Sequence, residues 1–267
     1  MADWLHRCCR ACGFDIRLVR NMDRALRELE DERRREYVSR LAALRAQTAA
    51  KDFPARSEGA GESRVRVVWI EAQDFEKAVC ARIREAGVVL DIGCGIRPQP
   101  FVKARIHICC EPFEEYLHRL MIETQGSDSH IYLNCGIEQV AEMFPPASVD
   151  AVFLLEVLEH LPKDRARECL RKVVALARSQ VVVSTPLGFL PQHNPSGPAD
   201  PWGMGGAEWQ EHRSAWQPED FPAAEGWEVV ACRNFHRQDA YGAALAEPVG
   251  AMTAFYHAPA AGKERGV

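Results

Sequence analysis

In the stretch FLLEVLEHLPKD, Glu156, Glu159 and His160 stand at i, i+3 and i+4. On one helical turn all three face the same side. Two carboxylates and an imidazole can bind a divalent cation, or one of them can act as a general base. The preceding run, VDAVFLLE (149–156), reads as a buried strand, so the trio lies at a strand's carboxyl end. In an open α/β sheet that is where ligands bind.

A second constellation lies upstream, in VVLDIGCGIRPQP (88–100). An apolar run ends at Asp91, and Gly93 and Gly95 then allow a sharp turn and close backbone approach to a ligand. The dinucleotide fingerprint needs a third glycine, where this chain has Pro98. Pro98 and Pro100 remove N–H donors and bias their neighbours away from helix. No G-K-[ST] follows, so the turn is poorly equipped for phosphate. A nucleoside carrying a cationic amino acid fits better. Asp91 supplies charge near an ammonium or sulfonium, and Glu111, at the end of the next strand, can accept both ribose hydroxyls. A third strand leads into Gly136-Ile137-Glu138.

LDIGCG together with ICCEPF resembles the class I S-adenosylmethionine-dependent methyltransferases, over about residues 85–258. The resemblance implies that Asp91, Gly93 and Gly95 meet the methionine moiety of S-adenosyl-L-methionine. It implies that Glu111 holds the ribose, and that Ile137 and Glu138 flank the adenine. The chain departs from the family pattern at IRPQP. E-x-x-E-H is similar to that of members that bind a divalent metal to orient a hydroxyl, such as the small-RNA 3′-end 2′-O-methyltransferases and the ubiquinone-pathway O-methyltransferases. In the RNA enzymes a further histidine follows in an H-x-x-x-W context, and His212 and Trp216 have that spacing. This implies a site of Glu156, Glu159, His160 and His212 for a cation such as Mg2+. Metal-free members also carry this motif. There Glu156 lines the cofactor pocket, His160 is structural, and His212 is left as the base. TPLGF-PQ with HRSAW-PEDF resembles bacterial methyltransferases similar to those of cell-surface glycan biosynthesis. The expected activity is O-methylation of a small-molecule or sugar hydroxyl, with His212, Glu156 and His160 as catalytic residues. The alternatives are metal-dependent RNA 2′-O-methylation and a non-catalytic cofactor-binding scaffold that recruits a partner through its N-terminal helix.

Positioning these groups calls for alternating strands and helices. Strands are predicted at 88–93, 105–111, 130–135, 149–156 and 180–186, with two later ones at 227–235 and 249–258; RVRVVWI (64–70) is ambiguous between a strand and a buried turn. Amphipathic helices are predicted at 74–87, 113–124, 137–144 and 163–179. The fold class is α/β: a Rossmann-like, doubly wound, mostly parallel seven-stranded sheet with an antiparallel C-terminal edge, plus an N-terminal helical extension. The boundaries are 1–63 for the extension and linker, 64–258 for the methyltransferase-like domain, and 259–267 for a tail. After Thr185 come six prolines and five glycines in 34 residues, a long irregular loop of the kind that carries binding functions. Its Phe189, Trp202, Trp209 and Trp216 either wall a pocket or anchor the loop to the core.

The chain has 267 residues and a formal net charge of −5, which argues against a nucleic-acid partner. Its ten cysteines fall mostly in apolar runs, as reduced thiols do. The Cys8-Cys9…Cys12 cluster has no second CxxC or HxxxH to complete a zinc motif. Residues 22–47 are dense in helix formers, with a patchy apolar stripe. They are expected to form a solvated helix docking by one edge; the sharper alternative is a homodimerisation or membrane-surface arm. No secretory leader or membrane-spanning run is read, so the expected location is cytoplasmic.

Overall fold

The computed structural model describes residues 66–125, 127–192 and 200–258, together with Glu36, Ser39, Arg40 and Ala43. The Cys8-Cys9-Cys12 cluster, the linker, the C-terminal tail and nearly all of the 22–47 segment lie outside the described residues. The four described N-terminal residues are helical, and Arg40 pairs with Glu76 at 3.2 Å.

Eight strands form one sheet: β1 (Arg66–Trp69), β2 (Val88–Ile92), β3 (Ile106–Cys110), β4 (His130–Leu133), β5 (Val149–Leu155), β6 (Ala177–Leu187), β7 (Trp227–Gln238) and β8 (Ala244–His257). Their order is β1-β7-β8-β6-β5-β2-β3-β4. The expected count of seven is corrected to eight. The additional strand is the ambiguous RVVW, which pairs parallel with β7 from Arg66↔Glu228 to Trp69↔Ala231. Only β8 runs antiparallel, to both β6 and β7. The sheet is therefore mostly parallel with an antiparallel element near its C-terminal edge, as the sequence predicts.

Helices cover both faces. The main ones are α1 (Ala72–Cys80), α2 (Glu114–Glu123), α3 (Ile137–Met143) and α4 (Lys163–Val174), with a single turn α5 (Ala207–Gln210) in the long loop. One core packs Val140 of α3 and Ala166, Leu170 and Val173 of α4 on Leu90, Val152 and Leu154. The other packs Phe75, Ala78 and Val79 of α1 on Val89, Phe153 and Val182. Burial on both faces explains why β2, β5 and β6 read as continuous apolar runs rather than alternating ones.

No helix joins β2 to β3. Residues 93–105 form an irregular loop because Pro98 and Pro100 cannot donate to a helical ladder. Its buried polar anchor is Gln99, which donates its N–H to Asp91 Oδ2 (2.6 Å) and closes a side-chain ring with Val102. The chain leaves β2 toward β3 and β4 on one side and enters β5 and β6 on the other. The switch point therefore lies between the carboxyl ends of β2 and β5.

Candidate functional site

The turn after β2 has Gly93 at φ +68° and Gly95 at φ +54°. Both lie in the left-handed region that costs other residues about 1–2 kcal/mol. A Cβ on Gly93 would also meet a Val157 methyl at 2.7 Å, so the glycine is required twice over. The N–H groups of Gly93 and Cys94 both donate to the Cys110 carbonyl, at 2.7 and 3.2 Å. Gly95 N–H donates to Glu111 Oε2 at 2.9 Å, and Phe113 N–H donates to Glu111 Oε1 at 2.9 Å. Glu111 thus ties the glycine turn to the start of α2. Burial pushes its carboxyl up to about 7, against the pull of those two N–H donors. Each oxygen keeps a second lone pair for a ligand hydroxyl.

A cavity of ≈ 730 Å3 opens at this point, within the range of small-molecule sites. Gly93, Gly95, Glu111 and Ile137 line one wall, and Glu156 and His212 another. Glu138 also lines it and pairs with Arg165 of α4 at 2.9 Å. Asp91 is the expected cofactor residue that the fold does not bring here. It lies outside the cavity lining, 1% exposed, with Oδ2 bonded to Gln99 N–H and 3.1 Å from His107 Nε2. Strand alternation turns it to the sheet face opposite Ile92, which does line the cavity.

The acidic–histidine group is also rearranged relative to expectation. Glu156, Glu159 and His160 do not share one helical face. Glu156 leaves β5 at φ +55°, one of two non-glycine residues at positive φ among the described residues. Such strain persists only where the surroundings impose it. Here Glu156 N–H donates to the Ser184 carbonyl (2.9 Å), and Ser184 Oγ donates to Glu156 Oε1 (2.8 Å). A 3-10 turn, Leu158–His160, follows. Glu159 points inward, 1% exposed, and its two carboxylate oxygens have no hydrogen-bond partner among the described residues. Burial, then the nearby Glu156 charge, holds its carboxyl well above the usual range.

His160 and His212 stand edge to face, with ring centroids 4.9 Å apart. His160 Nδ1 lies 3.1 Å from the Glu211 carbonyl, and His212 Nδ1 lies 2.7 Å from the Leu190 carbonyl. A carbonyl only accepts, so each Nδ1 carries hydrogen and each neutral ring has its lone pair on Nε2. Burial, with His212 adjacent, pushes His160 down to about 4. Burial also lowers His212, so both rings are neutral bases near pH 7. Ligand atoms of Glu159, His160 and His212 lie within 4.8 Å of one another. Glu156 stands outside that group, so the structure brings together three of the four expected ligands.

The long loop roofs the cavity. Asp200, at the start of ADPWGMGG's turn, is a clamp that the sequence reading missed. Its Oδ1 accepts from the N–H groups of Trp202 (2.8 Å) and Met204 (3.0 Å). Its Oδ2 accepts from Gly206 N–H and Tyr116 OH, both at 2.7 Å. The available signal was Asp followed by a Pro/Gly turn, the pattern of an Asx-type turn. A Cβ on Gly206 would lie 2.3 Å from the Tyr116 hydroxyl. Trp202 and Trp209 line the cavity, whereas Trp216 is fully buried and packs on Phe221. Phe189 does neither: it is half exposed and lines neither cavity, so the loop's four aromatics divide into wall, anchor and surface. A second cavity, ≈ 840 Å3, shares Arg97, Leu155 and Glu156 with the first.

No family model matches the chain, and no curated protein matches it. Among solved structures it is similar to 1,6-didemethyltoxoflavin-N1-methyltransferase from Burkholderia thailandensis, at 20% identity, 65% coverage of this chain and 72% of that one, with TM-score 0.43. It is similar to DhpI at 13% identity, covering 70% and 84%, with TM-score 0.44. The match to YcgJ from Bacillus subtilis has 20% identity, covers 42% of this chain and 48% of that one, and has TM-score 0.33. The chain therefore spans about half the length of YcgJ. The first of these was solved with S-adenosylhomocysteine bound, and the second as its complex with SAH.

Among the described residues, no helix is long and apolar enough to cross a membrane.

Proposed function

We propose that the chain is an S-adenosylmethionine-dependent methyltransferase acting on a hydroxyl oxygen of a small-molecule or sugar acceptor. The observation that carries this reading is one cavity with the Gly93–Gly95 turn and Glu111 on one wall and Glu156, His160 and His212 on the other. Glu111 accepts from the ribose hydroxyls, and Ile137 and Glu138 flank the adenine. The turn's backbone approaches the methionine part. The acceptor enters from the ≈ 840 Å3 cavity and reaches the donor methyl beside Glu156, where the two cavities join.

Methyl transfer is an in-line displacement: the acceptor oxygen forms a bond to carbon as the carbon–sulfur bond breaks. The sulfonium charge disappears in the step, so the site contributes mainly alignment. The hydroxyl proton must leave, and neutral His212, with its lone pair on Nε2, takes it.

Glu159, His160 and His212 also fit a divalent cation, because a buried carboxylate without hydrogen-bond partners lies within ligating reach of one nitrogen from each ring. When bound, such an ion would orient the acceptor hydroxyl and lower its pKa. The Leu190 and Glu211 carbonyls fix both rings for either role.

Isothermal titration with S-adenosylmethionine and S-adenosylhomocysteine tests the reading. Both should bind to the intact chain, and Gly93→Arg should abolish binding. Radiolabelled methyl transfer to a panel of hydroxyl acceptors should then be lost in His212→Ala. Absence of binding to the intact, folded chain would refute the proposal.

A further inference from the structure

A second set of ligating side chains lies away from β5, on β3 and β4. His107 and Cys109 are two residues apart on β3 and share a face. His107 pairs across to His130 of β4, with ring centroids 5.0 Å apart. One nitrogen from each ring and the Cys109 sulfur lie within 4.8 Å of one another.

The surroundings already orient these groups. Asp91, opposite Cys109 in the β2–β3 register, sets Oδ2 3.1 Å from His107 Nε2. That leaves Nδ1 as the ligating nitrogen of His107. Ser127 Oγ lies 2.6 Å from His130 Nδ1, which assigns Nε2 as its ligating nitrogen. A carboxylate or hydroxyl on the far nitrogen is the usual outer support of a metal-bound histidine. Cys94, between the two glycines of the turn, packs with Cys109 in one buried cluster, its Sγ 3.7 Å from the Gly95 carbonyl.

We propose that His107, Cys109 and His130 bind one zinc ion beneath the glycine turn, with the Cys94 thiol available for the fourth position. Thiolate plus imidazole selects zinc, whereas Mg2+ takes oxygen ligands. Tetrahedral zinc sets its ligand atoms about 3.3–3.8 Å apart, so modest side-chain rotation closes the set. His107 and His130 line the ≈ 840 Å3 cavity, which gives the ion an entry path. As the zinc–sulfur bond forms, the thiol proton of Cys109 passes to solvent. The ion would tie β3, β4 and the cofactor turn together, a role separate from the cation fit at Glu159, His160 and His212.

The test is Co2+ titration of the full chain carrying Cys8→Ser, Cys9→Ser and Cys12→Ser, which removes the other clustered thiols. One equivalent of Co2+ should give tetrahedral visible bands and a near-ultraviolet thiolate-to-cobalt band, and Zn2+ should displace both. Cys109→Ser and His130→Ala should each reduce the thiolate band to baseline. Glu159→Gln with His212→Ala should leave it intact, because that group contains no sulfur. If Cys109→Ser does not fold, His130→Ala at its half-buried position carries the comparison. One equivalent of Zn2+ should then raise the Tm of the parent and not of that variant. A parent without the thiolate band, or a band that survives His130→Ala, would overturn the proposal.

Discussion

Glu111 is the residue on which the proposed cofactor binding and local folding converge. Its two oxygens hold the N–H groups of Gly95 and Phe113, so the acid that would meet a ribose also shapes the turn beside it. At 4% exposure it is shielded from water, and those N–H groups have few other acceptors. Glu111→Ala should cost about 1–3 kcal/mol for each orphaned donor. S-adenosylhomocysteine affinity should fall at least tenfold, measured by calorimetry alongside a urea melt. Glu111→Gln keeps the shape but replaces one acceptor oxygen with an NH2 group, so it should lose affinity with a smaller loss of stability. An unchanged affinity in both variants would remove Glu111 from the cofactor site.

At the scale of elements, the loop from Asp200 to Gly206 and helix α4 show how irregular segments are fixed without a core of their own. Asp200 gathers three backbone donors and the Tyr116 hydroxyl. Asp200→Ala should speed amide exchange at Trp202, Met204 and Gly206. For whichever acceptor is turned over, it should raise KM more than it lowers kcat, because it loosens the roof and not the chemistry. Farther along, Asp220 accepts from Lys163, from Arg167 Nη2 (2.6 Å) and from Gln217 N–H (2.8 Å). Burial opposes its ionisation, but Lys163 and the other donors outweigh that and hold its carboxyl below the usual range. A depressed carboxyl stabilises the fold above its unfolded value near pH 4, and that stability is lost as pH falls through the folded value. Asp220→Asn should therefore cost on the order of 1 kcal/mol at pH 7, after allowing for solvent screening, and the difference from the parent should vanish in acid. Denaturant midpoints at pH 7 and below pH 4 check this; a difference independent of pH would show that the ion pairs contribute nothing.

On the scale of the whole molecule, the sheet and its two helical layers act as one support for the switch point. Phe153, in β5, is fully buried, and its ring stacks on Phe101 of the loop after β2 with centroids 6.3 Å apart. Phe153→Ala should cost about 3–5 kcal/mol through lost burial and a cavity. That is a large share of the stability of an ordinary domain. Because the stack includes the 93–105 loop, cofactor affinity should also fall, as a urea midpoint and a binding titration on the same variant would record. Retained affinity would mean that the loop is held by Gln99 and Asp91 alone.

The glycine turn, the buried strand runs and the missing helix after Pro98 were all legible in the sequence. Each depends on a local property: a φ that only glycine adopts freely, apolar continuity, or an absent N–H. The antiparallel end of the sheet followed in the same way, from two strand patterns with no helix between them. What tertiary structure decided was direction and long-range partnership. Alternation along β2 separates Asp91 from Ile92, but not which of them faces the cavity. Spacing put Glu156, Glu159 and His160 on one helical turn. The Ser184 contacts instead hold Glu156 at φ +55°, and it stays outside the group formed by Glu159, His160 and His212. Tyr116 and Asp200 meet across 84 residues, and no local signal reports such a contact. Short-range sterics are written in neighbouring residues, whereas the choice of face and of distant partner is made only when the sheet closes and the helices pack on it.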